Sequence, residues 1–119
     1  MNIHKSALDA SKRIKRYLIP TPLKRSSWLS NETGANVFLK CENFQHTGSF
    51  KFRGALNKLL SLSDEERSKG IVTASTGNHG VAIARAMSIL KTSGLIFTPI
   101  NVSDYKLERI KKYGVEIKQ

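Results

Sequence analysis

The sequence has a single cysteine, Cys41, among its 119 residues, so no disulfide can form within the chain. Chains without disulfides are typical of a reducing compartment, and we expect a cytoplasmic protein. The three histidines, His4, His46 and His79, are scattered along the chain. With one cysteine they do not give the ligand spacing of a zinc site, and we expect no bound metal.

Long apolar runs are also missing. The longest, residues 81–90, is interrupted by Arg85 and Ser88, so it cannot span a bilayer. Residues 1–10 lack the apolar segment of a signal peptide. We therefore expect no membrane partner.

Acidic residues are scarce: nine Asp and Glu stand against 20 Lys and Arg, giving a net charge of +11. Such a balance raises the possibility of nucleic-acid binding. However, the basic residues are spread out, and their densest runs, 12–16 and 109–112, fall on polar faces of predicted helices. We expect no nucleic-acid partner, because a basic surface can equally attract anionic small molecules or balance an acidic protein.

Periodic apolar residues predict the elements of the first half. A helix is expected over residues 3–18, ending before Pro20. A short helix over 25–33, closed by a glycine, and a strand over 36–40 follow. A polar loop then leads to an amphipathic helix that begins at Lys51 and buries one face, made of Phe52, Ala55, Leu56, Leu59 and Leu60.

The second half alternates strands with helices. Ser63 and Glu66 have the spacing of a capping box. Beyond them the pattern predicts three strands and two intervening helices: strands over 71–75, 94–100 and 115–119, helices over 81–90 and 103–112. This order is typical of an α/β fold with right-handed crossovers and a parallel sheet. The last strand reaches the final residue, so the sheet is expected to be incomplete.

Two short segments have residues suited to chemistry. Residues 75–80, Ser-Thr-Gly-Asn-His-Gly, lie between a predicted strand and helix, where free backbone N–H groups and the helix dipole bind carboxylate or phosphate. The same residue types are common in turns for capping alone, so composition favours both interpretations equally. Lys51 stands between Phe50 and Phe52. Partial desolvation there would make it a nucleophile toward carbonyls, whereas an arbitrary lysine is usually an exposed helix residue.

Residues 39–55, LKCENFQHTGSFKFRGA, closely resemble the cofactor-lysine segment of fold-type II pyridoxal-phosphate (PLP) enzymes, in particular the threonine/serine dehydratase and serine racemase branch. Residues 74–80, ASTGNHG, match that family's next motif. Residues 21–23, Thr-Pro-Leu, and the run from Pro99 to Glu116 match as well. The resemblance covers essentially the whole chain in order.

The resemblance implies a truncated fold-type II α/β architecture, similar to the tryptophan synthase β subunit, with a parallel sheet and flanking helices. Residues 1–53 would begin the large domain, and residues 54–119 would form the first part of the small domain. The family's glycine-rich phosphate-binding loop lies further along than this chain extends. We therefore expect an N-terminal portion that is poorly stable or partly molten alone; a sharp cooperative melt would refute this expectation.

The resemblance also implies roles for individual residues. Lys51 would carry the PLP cofactor and act on the substrate's α-proton. Phe50 would pack against the cofactor ring, and Asn78 would hydrogen-bond its phenolic oxygen. The substrate carboxylate would be held by five consecutive residues: Ser75, Thr76, Gly77, Asn78 and His79.

Two positions separate the branches of the family. Cysteine and threonine synthases usually carry Asp after the lysine, where this chain has Phe52, and serine racemases keep Ser where it has Thr76. Both differences favour a threonine or serine dehydratase, which gives a 2-oxo acid and ammonia and is expected to be a homo-oligomer at full length. A serine racemase or another β-eliminating lyase is the alternative. An inactive remnant or a basic binding module is the alternative from another class.

Overall fold

The computed structural model describes residues 2–119, which form two separate sheets and six helices. The strands are β1 (Leu23–Arg25), β2 (Phe38–Lys40), β3 (Ile71–Ala74), β4 (Gly94–Phe97) and β5 (Glu116–Lys118). The helices are α1 (Ile3–Ile14), α2 (Ser27–Thr33), α3 (Lys51–Ser61), α4 (Asp64–Ser68), α5 (Asn78–Leu90) and α6 (Asp104–Lys111). Short 3-10 turns cover Lys15–Tyr17 and Glu42–Phe44.

The parallel sheet predicted for the second half is confirmed. β3 pairs with β4 and β4 with β5, all parallel, in the order β3-β4-β5. The crossover helices are α5 and α6, as the alternation of strand and helix patterns indicated. Because the sheet is parallel, the carboxyl ends of its strands share one edge, and residues 75–80 lie at that edge after β3.

The first half differs from the prediction in two ways. The helix predicted over 3–18 ends at Ile14 and is followed by a 3-10 turn, and one strand was not predicted. Residues 23–25 form β1, which pairs antiparallel with β2 in the register Leu23 to Lys40. The helix expected over 25–33 therefore begins only at Ser27, after the Ser26 side chain has accepted a hydrogen bond from the Leu29 N–H. It ends at Gly34, whose φ of 68° is the left-handed conformation that favours glycine.

The main core lies between α3 and α5. Phe52, Leu56 and Leu59 are fully or almost fully buried on α3, and they pack in one cluster with Val81 and Met87 of α5. α3 runs across the predicted domain division at residue 53, and that division remains a prediction. No helix within residues 2–119 is long and apolar enough to cross a membrane.

The β1–β2 pair leaves a broad apolar surface exposed. Every residue of both strands is exposed. Phe38 exposes 54% of its surface, and the nearby helix α2 exposes 70% of Trp28, the only tryptophan. Both outer edges of the parallel sheet, on β3 and β5, have no partner strand in the described chain.

The predicted capping box is confirmed and gives a stability test. The Ser63 hydroxyl accepts from the Glu66 N–H at 3.1 Å, and the Glu66 carboxylate accepts from the Ser63 N–H at 2.7 Å. Ser63→Ala is expected to lower the free energy of unfolding by about 1 kcal/mol, because a first-turn N–H loses its acceptor. Denaturant unfolding followed by circular dichroism measures this. Ser61→Ala, which removes a hydroxyl outside the box, is the control, and an equal loss in both variants would contradict the assignment.

Candidate active site

The turn after β3 is shaped by Ser75. Its N–H donates to the Phe97 carbonyl oxygen at 3.0 Å, which extends the pairing of β3 with β4. Its hydroxyl oxygen accepts from the N–H groups of Gly77 at 3.2 Å and Gly80 at 3.0 Å. Ser75 therefore acts as a cap for this turn, and only its hydroxyl hydrogen remains for a ligand.

The start of α5 nevertheless offers backbone donors to an anion. α5 begins at Asn78, directly after Gly77, and the N–H groups of its first turn have no acceptor inside the helix. Gly80 donates to Ser75 instead, which leaves the N–H groups of Asn78 and His79. A carboxylate placed before this helix would also meet the positive end of its dipole.

Gly80 lets the turn pack closely against α6. A Cβ built on Gly80 would lie 3.0 Å from the Ile110 Cδ1 atom and 3.3 Å from the Ser75 Cβ atom. Any larger residue would push the Ser75 cap away from the start of α5. The last glycine of the motif therefore sets the geometry of the turn and does not need to touch a ligand.

Lys51 lies at the first position of α3 with an exposed side chain. Its Nζ atom is 5.1 Å from the centroid of the Phe50 ring, and Phe50 is itself 60% exposed. Phe52 is fully buried in the core. Phe50 and Phe52 therefore do not enclose Lys51, because neighbouring helix residues point about 100° apart and Phe52 turns inward. Of the two interpretations of Lys51, the exposed helix residue is the one observed.

One cavity brings part of the predicted site together. It has a volume of about 530 Å³ and lies between α3 and β3. Lys51, Phe50 and His79 line it together with Thr73, whose hydroxyl oxygen is 3.2 Å from the His79 Nε2 atom. Other predicted site residues do not line this cavity and lie on the adjoining turn: Ser75, Thr76, Gly77 and Asn78.

An ion pair next to Lys51 had no clear signal in the sequence. Arg53, in the first turn of α3, donates from Nε to Glu42 Oε2 at 2.8 Å and from Nη2 to Glu42 Oε1 at 2.7 Å. The Thr21 hydroxyl donates to the same Oε1 atom at 2.6 Å. The Arg53 hydrogen bonds lower the pKa of Glu42, against the opposing effect of burial, and the Glu42 hydrogen bonds raise the pKa of Arg53.

This ion pair predicts a pH dependence of stability. The pKa of Glu42 is lowered in the fold from its ordinary value of 4.5, so its stabilising contribution is present above that value and is lost as pH falls through the lowered pKa. Glu42→Gln is expected to cost about 1–3 kcal/mol near neutral pH. The difference from the wild type should shrink on acidification. Urea unfolding of both proteins between about pH 3 and about pH 7 measures it; a difference that is constant over this range would contradict the assignment.

Comparison with known proteins identifies the family. The sequence profile of the family described as "Pyridoxal-phosphate dependent enzyme" matches residues 14–119. The L-threo-3-hydroxyaspartate ammonia-lyase of Saccharomyces cerevisiae is 44% identical over 110 residues, covering 92% of this chain and 34% of that protein. A catabolic L-threonine dehydratase of Staphylococcus aureus is 44% identical over 110 residues, covering 92% of this chain and 32% of that protein.

A solved structure gives the same result for the fold. The crystal structure of serine racemase from Dictyostelium discoideum superposes with a TM-score of 0.90 at 40% identity, over 96% of this chain and 38% of that one. The chain belongs to the pyridoxal-phosphate-dependent enzyme family, with the α/β architecture of fold type II. It spans about a third of the length of the relatives it matches.

The cavity is compatible with the cofactor of this family, PLP. The cofactor needs a primary amine for its aldehyde and an apolar or aromatic wall for its ring. Lys51 supplies an amine that makes no hydrogen bond or ion pair within residues 2–119, and Phe50 lies beside it. Gly54, one turn further along α3, keeps the wall open, because a Cβ built there has no atom within 4 Å.

Proposed function

We propose that this chain carries the lysine-bearing part of a PLP-dependent ammonia-lyase that acts on threonine or serine. The observation that carries the proposal is the shared cavity, which Lys51 of α3 and His79 in the first turn of α5 both line. A carbonyl-reactive amine thus stands next to a helix start suited to a carboxylate. An α-amino acid carries a carboxylate suited to the helix start and, a short distance away, an amine that is reactive toward an aldehyde as Lys51 is.

In this proposal the cofactor, Lys51 and the start of α5 have separate roles. PLP, when bound, supplies an electron sink for the charge left by a departing α-proton. Lys51 would hold the cofactor through its amine, and the same Nζ, when free, would accept the substrate's α-proton. The N–H groups of Asn78 and His79 bind the substrate carboxylate, and Ser75 keeps the turn in shape. The β-hydroxyl leaves with a proton as water, and addition of water then gives the 2-oxo acid and ammonia.

Further assignments follow from the same family membership. We propose that Phe50 packs on the cofactor ring and that the Asn78 amide bonds its phenolic oxygen. We propose Thr76 and Gly77 as further contacts of the carboxylate. The single cysteine favours the cytoplasm as the location, and a homo-oligomer as the working assembly is proposed from the family.

The product of the reaction tests the proposal. Purified protein is incubated with PLP and L-threonine or L-serine, and the 2-oxo acid and the D-amino acid are measured separately. We expect 2-oxo acid in excess. D-Serine without 2-oxo acid would favour the racemase alternative. Absence of both products, together with no cofactor on Lys51, would favour the inactive remnant.

Thr76 gives a further prediction about the type of reaction. A serine hydroxyl in place of the β-branched threonine is smaller and less restricted in χ1. Thr76→Ser is therefore expected to raise the ratio of D-serine to 2-oxo acid, measured by chiral chromatography in the same assay. The matched control is Thr92→Ser, the same change in the segment between α5 and β4, away from the cavity, which is expected to leave the ratio unchanged. An equal effect of both changes, or none from Thr76→Ser, would contradict a role for this position.

A further inference from the structure

The Lys51 amine lies 5.1 Å from the centroid of the exposed Phe50 ring, but within residues 2–119 no polar group holds it. The side chain is exposed, and its Nζ makes no hydrogen bond or ion pair with residues 2–119. The start of α3 also lacks a side-chain cap, because Phe50 occupies the cap position. The place of the Lys51 amine in the cavity therefore depends on how the first turn of α3 is fixed.

Two neighbours fix that turn from the side away from the cavity. Phe52 is fully buried in the core. Arg53 is held by both oxygens of the Glu42 carboxylate, at 2.7 and 2.8 Å. Residues two apart on a helix point about 200° apart, so a fastened Arg53 directs Lys51 to the opposite side, toward the cavity.

Glu42 is itself tied to the β1–β2 pair. The Thr21 hydroxyl donates to Glu42 Oε1 at 2.6 Å, and Thr21 is buried just before β1. Lys40, at the end of β2, donates from Nζ to the Thr21 carbonyl oxygen at 2.6 Å. The Gln45 side chain links the same loop to Ile19. Its Oε1 accepts from the Ile19 N–H at 3.1 Å, and its Nε2 donates to the Ile19 carbonyl oxygen at 3.0 Å.

We propose that Thr21, Glu42 and Arg53 form a positioning unit that holds the first turn of α3 against the β1–β2 pair and so sets the place of the Lys51 amine. This inference rests on the proposed function, in which Lys51 carries the cofactor. These residues touch neither cofactor nor substrate; they act through Lys51. A planar guanidinium is suited to this task, because its two donors fix an orientation that a lysine ammonium does not.

The test compares two lysines on one helix. Lys51 and Lys58 both lie on α3 and both line the cavity, but only Lys51 is next to the positioning unit. Each protein is incubated with PLP, reduced with cyanoborohydride and mapped by peptide mass, and the adduct ratio of Lys51 to Lys58 is measured. The ratio is internal to each molecule, so a general loss of folded protein alters both terms together.

Glu42→Gln is expected to lower the ratio by about tenfold, the effect of losing a charge-assisted hydrogen bond. Arg53→Lys, which keeps the charge but not the paired donors, should give an intermediate ratio and partial rescue relative to Arg53→Gln. Glu108→Gln is the control: it removes an exposed ion pair to Lys111 on α6, at 3.1 Å, and should leave the ratio unchanged.

Three results would overturn the inference. If the Lys51 to Lys58 adduct ratio stays at the wild-type value in Glu42→Gln while the free energy of unfolding falls, the Glu42–Arg53 ion pair only stabilises the fold and does not position Lys51. Ratios at the wild-type value in both Arg53→Lys and Arg53→Gln would remove Arg53 from the positioning unit. A wild-type protein in which Lys51 is labelled no more than Lys58 would overturn the proposed function, and the inference with it. The wild-type ratio therefore distinguishes failure of the proposed function from failure of the positioning unit alone.

Discussion

Under the proposed function, Lys51→Ala is expected to reduce formation of 2-oxo acid by about 10³-fold or more, because the variant would lack both the cofactor attachment and the base for the α-proton. Among residues 2–119, Lys51 is the only lysine that lies at the start of a helix beside both the cavity and an aromatic ring. Initial rates with L-threonine and saturating PLP measure the change.

The matched control for this prediction is Lys58→Ala. Lys58 lies two turns further along the same helix and lines the same cavity, so its removal changes the charge of the cavity equally. We expect its rate to stay near that of the wild type. A comparable loss in both variants would indicate that positive charge in the cavity matters, and not a particular amine.

Gly94→Ala is expected to disrupt the parallel sheet, at a cost of at least about 3 kcal/mol. A Cβ built on Gly94 would lie 2.6 Å from the Met87 Sδ atom and closer still to the Ile71 carbonyl oxygen. Met87 can shift, but Ile71 is held by the pairing of β3 with β4. The clash therefore separates β4 from β3, the strand whose carboxyl end leads into the site.

Hydrogen exchange of the amides in β3 and β4 measures this effect without requiring a complete unfolding transition. Gly54→Ala adds the same methyl group in the middle of α3, where a Cβ meets no atom within 4 Å. It is expected to stabilise by about 0.5–1 kcal/mol, since alanine favours a helix over glycine. Unchanged protection of β3 and β4 in Gly94→Ala would contradict the packing described for this strand.

Elements with strong local signals could be predicted from the sequence. The capping box at Ser63, the amphipathic face of α3 and the alternation that gives β3, α5 and β4 each depend on residues within one or two turns. β1 could not be predicted in this way. It has three residues, all exposed, and it exists because it pairs with β2, from which it is separated by a helix.

The site shows the same division between local and long-range signals. The turn after β3 and the lysine at the start of α3 are recognisable from their own segments. The bond from Arg53 to Glu42 spans eleven positions and includes Thr21, so it depends on the tertiary fold. The sequence left two interpretations of Lys51 open, a partly desolvated amine and an exposed helix residue. The structure shows the exposed one, because the helix directs Phe52 into the core.

The central claim is that Lys51 carries the PLP cofactor. Its most direct test is a peptide map of the wild-type protein after incubation with PLP and reduction with borohydride. The chain has thirteen lysines, and exposed lysines give weak background labelling. We expect one stoichiometric PLP adduct, on Lys51, that disappears in Lys51→Ala and persists in Lys58→Ala. Low labelling scattered over many lysines and unchanged in Lys51→Ala would contradict it.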